Sequence, residues 1–144
     1  SMSIAIAAPQ IGISKRIFIV DGDDESENGV FINPRILSTS GYLNDFAEAC
    51  LSFPCDIRLH IKRPTIVELE WYDEKKVYHK KFIGEFTAMV VQHEIDHLDG
   101  ILMIDRTTED ELKRNKNKLE RTLKKKAKFK HPVFNYNIGN KTNK

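Results

Sequence analysis

His93 and His97 stand four residues apart around Glu94 in the stretch Gln92-His93-Glu94-Ile95-Asp96-His97-Leu98-Asp99-Gly100. This spacing constrains the chain more than any other feature. On an α-helix, positions i and i+4 share a face, so a helix here points both imidazoles at one metal ion. Phe86, Met89, Val90, His93 and His97 fall at helical spacing on one face. The pattern predicts a helix that begins after Gly84 and stops at Gly100. Glu94 follows the first ligand by one residue, where its carboxylate can take a proton from a water on the metal. That is the use metal hydrolases make of H-E-x-x-H.

Two protein ligands do not complete a catalytic site, because three ligands and one open position is the usual arrangement. Met103 occupies the position where an extended H-E-x-x-H-x-x-G-x-x-H pattern would place its third histidine. The third ligand therefore comes from elsewhere: Cys50, Cys55, Glu48, or a downstream acid or histidine. A lone cysteine is more often a small packed residue than a ligand. Beside H-E-x-x-H the balance moves towards Cys50 in Glu48-Ala49-Cys50-Leu51-Ser52, since a thiolate is a strong ligand for zinc or ferrous iron.

The rest of the chain reads as strands and one further helix. Strands are predicted at Ile17–Val20, at Val30–Asn33 with a stop near Pro34, at Leu59–Arg63 with a stop at Pro64, and at Ile66–Tyr72. Asp73–Lys76 turns the last of these into Val77–Phe82, forming a hairpin. Asp21–Gly29 is an acidic loop. Thr108-Glu109-Asp110-Glu111 has the form of a capping box and would start a helix running to about Lys130. The apolar positions of that helix, Leu112, Leu119, Leu123 and Ala127, form a narrow stripe, which predicts a surface or projecting helix.

With 144 residues, 40% of them apolar and 31% charged, the chain has the profile of one soluble globular domain. No apolar run approaches the roughly 20 residues that span a bilayer. Two cysteines, Cys50 and Cys55, do not make a disulfide framework. A disulfide between them would abolish the metal site. Charge is split along the chain. Residues 1–106 hold 11 Lys/Arg against 17 Asp/Glu, whereas residues 107–144 hold 12 against 4. Lys113 to Lys130 alone contain ten Lys/Arg and one acid, Glu120. Such a basic tail is expected to meet a polyanion or an acidic partner.

Three segments together resemble the peptide deformylases: Ser3-Ile4-Ala5-Ile6-Ala7-Ala8-Pro9-Gln10, Glu48-Ala49-Cys50-Leu51-Ser52, and Gln92 to Gly100. The resemblance runs from near residue 3 to about residue 106. It implies an α+β fold with mixed or antiparallel sheets around a central helix carrying H-E-x-x-H, plus a basic C-terminal helix. Residues 1–106 would form the metal-hydrolase domain, apparently without the family's N-terminal segment, and residues 107–144 a basic helix and tail.

The resemblance also assigns roles. Cys50, His93 and His97 would hold one divalent metal, usually Fe2+, with Zn2+, Ni2+ or Co2+ able to replace it. Glu94 would be the general base and then the acid. Gln10 and the Leu51 backbone N–H would stabilise the oxyanion. Ile4, Ala5, Glu48, Phe86, Met89 and Val90 are the expected substrate-binding residues, with Ile4, Phe86, Met89 and Val90 around a methionine side chain. The substrate would be the formyl-methionyl end of a nascent peptide. Residues 108–130 would contact the ribosome or its RNA. The compartment would be bacterial cytoplasm or an organelle of bacterial descent. Ser3, Ala5 and Ala49 stand where the family usually has glycine, which raises the alternative of a metal-binding relative with little turnover.

Overall fold

The computed structural model describes residues 3–23, 25–53 and 57–128. Seven strands form two antiparallel sheets. β1 (Ser3–Ala7), β2 (Ile17–Gly22), β3 (Gly29–Thr39), β6 (Ile66–Tyr72) and β7 (Tyr78–Gly84) make one sheet in the order β1-β2-β3-β6-β7. β4 (Leu43–Glu48) pairs with β5 (Leu59–Pro64) in the other. Helix α1 spans Glu85–Leu98, α2 Met103–Arg106 and α3 Glu109–Lys128.

The sheets alternate as period-2 strands must. On the inner face of the larger sheet, Ala7, Phe18, Val20, Phe31, Leu69 and Trp71 pack against Met89, Val90, Val91 and Ile95 of α1. The Phe18 and Phe31 rings stack with centroids 4.6 Å apart. A second cluster, containing Cys50, Leu59, Ile61, Met103, Ile104 and Leu119, joins the β4–β5 loop to α2 and α3. Burying each such aliphatic side chain is worth roughly 1.5–3 kcal/mol. The two clusters meet where α1 faces the segment after β4, so a residue of that segment lies against the polar face of α1.

One expectation is corrected. The strand at Val30 does not stop at Pro34: β3 continues to Thr39. Asn33 takes a positive φ of 49° and the register against β6 shifts between Ile32 and Arg35. This bulge turns the proline, which has no N–H to give, out of the ladder. α3 lies on the surface, as its narrow apolar stripe predicts, with one side packed inward. Its Leu119 and Thr122 are buried, Leu112 packs beside the second cluster, and the buried Glu111 side chain accepts the His60 N–H. The expected Thr108 cap is present, its Oγ accepting the Glu111 N–H at 3.2 Å. The side chains of Leu123 and Ala127, and residues 129–130, lie outside what is described. β1 and β4 had no counterpart among the predicted elements. Among the described residues, no helix is long and apolar enough to cross a membrane.

Candidate metal centre

α1 holds its two histidines inward because the helix is buried along most of its length, from Ala88 to His97. Gly100, at φ 72°, gives its N–H to the His97 carbonyl just past the helix end. β4 ends at Glu48, and the turn that follows brings Cys50 down onto the histidines. Cys50 Sγ lies 3.3 Å from His97 Nε2, and His97 Nε2 lies 3.1 Å from His93 Nε2. The three donor atoms all fall within 4.8 Å of one another, and all three residues are buried. Cys50 is a free thiol. Cys55 lies outside the described residues.

The donor set suits a divalent transition metal. One thiolate and two imidazoles would hold such an ion by three ligands and leave a position open. His93 Nδ1 is engaged by Glu48 Oε2 at 2.7 Å, which leaves Nε2 to face the thiolate. This carboxylate–histidine pairing behind the donor atom is the usual support of a metal-binding imidazole.

Electrostatics reinforce the geometry. Burial pushes the Cys50 thiol up, but hydrogen bonds with His93 and His97 outweigh it and draw the value down to about 5. Burial pushes His93 down, yet its contacts with Cys50 and Glu48 raise it to about 10. Both shifts favour the deprotonated thiol, the form of cysteine that ligates a metal. Burial raises Glu94 to about 7. Among the described residues, Glu94 Oε2 is the buried side-chain oxygen or nitrogen that lacks a hydrogen-bond partner. An orphaned carboxylate oxygen beside three metal-type donors is the position a proton-donating water would satisfy.

Gln10 arrives from the turn after β1. Its Oε1 accepts the Ala7 N–H at 2.8 Å, which fixes the amide. Its Nε2 donates to Ser52 Oγ at 3.0 Å and lies 3.7 Å from Cys50 Sγ. The Leu51 side chain is exposed.

The expected substrate residues divide. Met89 and Val90 belong to the buried cluster, and Ala5 packs against it. Phe86 is partly exposed at the start of α1. Ile4 is 59% exposed and does not join Met89 and Val90, because alternation along β1 turns Ala5 and Ala7 inward and Ile4 outward. Glu48, expected at the substrate, faces inward with its side chain fully buried. Its two oxygens accept from Arg63 Nε and Nη2, and from His93 Nδ1. It lies behind His93, away from solvent.

Arg63, Asp96 and Ser52 stand in the quoted stretches, but their residue types alone assign them no role in the site. Arg63 left a signal: Leu59, Ile61 and Arg63 alternate onto one face of β5, and a lone cation on a buried face requires acidic partners. Those partners are Glu48 and Asp96, the latter at 2.9 Å.

The family model for polypeptide deformylase matches residues 1–113. A peptide deformylase of Prochlorococcus marinus is 41% identical over 128 residues, covering 85% of this chain and 63% of the relative. One from Prosthecochloris aestuarii is 39% identical over 146 residues, covering 96% and 76%. A crystal structure of peptide deformylase from Plasmodium falciparum superposes with a TM-score of 0.80 at 34% identity, over 89% of this chain and 76% of that one. The chain thus spans a little under two thirds of the length of the Prochlorococcus relative.

Proposed function

Because the chain belongs to the peptide deformylase family, we propose that it is a metal-dependent hydrolase that removes the formyl group from the formyl-methionyl end of nascent peptides. The observation that carries this reading is the convergence of Cys50, His93 and His97 beside the unpartnered Glu94 Oε2. Cys50 Sγ, His93 Nε2 and His97 Nε2 would hold the ion, with Fe2+ the expected native occupant and Zn2+, Ni2+ or Co2+ substitutes. When bound, the ion supplies Lewis acidity, which lowers the pKa of water and polarises a carbonyl.

The chain's own groups do the rest. Glu94 Oε2 takes the proton of the attacking water and returns it to the leaving amine, a transfer that contributes about 10²–10⁴ in rate. Gln10 Nε2 and the Leu51 N–H donate to the negative charge that develops on the formyl oxygen. The Gln10 amide is already fixed by Ala7, so its dipole needs no reorganisation at the moment of reaction. Phe86, at the exposed start of α1, with Met89 and Val90 behind it, offers apolar contact to a methionine side chain. β1 presents an edge strand, paired on one side only to β2, to which an extended peptide can add.

The reading with little turnover rests on Ser3, Ala5 and Ala49 at positions the family usually gives to glycine. The described non-glycine residues with positive φ are Asn33, Lys76 and Glu85. Ala5 and Ala49 are not among them, so the backbone at these two sites does not demand glycine, which favours turnover. Assay of formyl-Met-Ala-Ser with anaerobic Fe2+-loaded protein tests the proposal. Release of formate above a Glu94→Ala control is expected, and its absence rejects deformylation.

The exposed cations of α3, including Lys113, Lys116, Lys118 and Lys124, would meet ribosomal RNA. Leu112 and Leu119 anchor the helix on the second cluster. The triple variant Lys116→Glu, Lys118→Glu, Lys124→Glu should lose low-salt cosedimentation with ribosomes; retention would reject this contact. The compartment that fits both is one with bacterial-type translation, the bacterial cytoplasm or an organelle descended from it.

A further inference from the structure

We propose that Arg106, the last residue of α2, is a positioning residue that sets the grip of His93 on the metal through a chain of ion pairs that runs into the core. The inference rests on the reading of Cys50, His93 and His97 as metal ligands. Arg106 grips both oxygens of Asp96, Nη2 to Oδ1 at 2.6 Å and Nε to Oδ2 at 3.1 Å. Arg63 Nη1 donates to the same Oδ2 at 2.9 Å. The rest of the Arg63 fork holds Glu48, Nη2 to Oε2 at 3.1 Å and Nε to Oε1. Glu48 Oε2 in turn holds His93 Nδ1 at 2.7 Å.

Exposure falls along this chain. The Arg106 side chain is 46% exposed, while Asp96, Arg63 and Glu48 are 8%, 5% and 0% exposed. The donors of His93 and His97 occupy one side of α1. Asp96 and Gln92 occupy another, along a cleft of about 420 Å³ that Arg16, Arg35, Arg63 and Arg106 also line. Arg63 is therefore the bridge around the helix.

The physical consequence concerns the Arg63 fork. Asp96 and Glu48 compete for one buried guanidinium. With Arg106 in place, Asp96 has a second, two-pronged cation, and Arg63 can turn two of its three contacts to Glu48. Without Arg106, Asp96 keeps one cation only and draws the Arg63 fork towards itself. Glu48 then loses the clamp that fixes its plane, and the Nδ1 contact that aims the His93 ring loosens. Charge alone does not substitute, because a lysine ammonium cannot span both oxygens.

The test is the dissociation constant for Co2+, read by competition with a chelator on the full chain, together with the visible spectrum of the Co2+ form. Loss of support behind a metal-binding histidine typically weakens the metal by 10–100-fold. Arg106→Gln is expected to weaken Co2+ by at least about tenfold and to change the intensity of the ligand-field bands. Arg106→Lys is expected to fall between it and wild type, and serves where Arg106→Gln folds poorly. Arg35→Gln is the control: Arg35 lines the same cleft but pairs with Glu70, and should leave the constant within about twofold, the neutral outcome for a group outside the support chain. Equal constants for wild type and both Arg106 variants overturn the proposal, as does an equal weakening in Arg35→Gln. Absence of Co2+ binding in wild type overturns the metal reading and this proposal together. Co2+ affinities in the expected order with no deformylation overturn only the proposed reaction.

Discussion

Glu48 holds His93 from behind: its Oε2 lies 2.7 Å from His93 Nδ1 while Arg63 clamps the same carboxylate. The contact sits in a fully buried side chain, so truncation leaves the Arg63 cation without its main partner. Glu48→Ala should lower folding stability by about 3–5 kcal/mol, measured by urea unfolding of the metal-free protein. Glu48→Gln keeps the volume and should show its larger effect in metal retention.

Glu94 is expected to serve proton transfer and not metal binding. Glu94→Gln should reduce kcat/KM by about 10²–10⁴ and leave metal stoichiometry at one ion per chain. Loss of the ion in this variant would place Glu94 among the ligands instead.

Gln10 is tied at both ends, to the Ala7 N–H and to Ser52. Gln10→Leu keeps the size and removes the donor. A fall of about 10²–10³ in kcat, with Co2+ affinity preserved, is the expected result of steady-state kinetics.

In the turn between β6 and β7, the Asp73 carboxylate accepts from His79 and from the Val77 and Lys75 amides, which holds it below its usual value of 3.8. A depressed acid contributes stability above its unfolded value, and this is lost as pH falls through the lower folded one. Wild type should therefore exceed Asp73→Asn in Tm at neutral pH, and the difference should shrink below pH 3.8. NMR titration of the Asp73 carboxyl carbon should place its midpoint beneath that value.

Leu69 is fully buried in the sheet facing α1. Leu69→Ala should cost about 2–5 kcal/mol, read as a lowered urea midpoint with unchanged slope. Because Leu69 belongs to the sheet cluster and Cys50 to the other one, Co2+ affinity of the folded fraction should stay the same.

Local patterns in the sequence determined β2, β5, β6, β7, α1 and the start of α3, because alternation and helical spacing report which face of each element is apolar. The three deformylase-like segments brought Cys50, His93, His97, Glu94 and Gln10 onto one list, since each belongs to a short motif. Asn33 shows where this ends: its bulge carries β3 past Pro34, and only pairing with β6 decides that a proline is tolerated. Glu48, Arg63, Asp96 and Arg106 show it again. They are separated by up to 58 residues in sequence, and no single one reveals whether it faces solvent, substrate or another charge. Burial decided it, because a carboxylate or guanidinium removed from water must find its opposite, and which opposites lie within reach is a property of the folded chain alone.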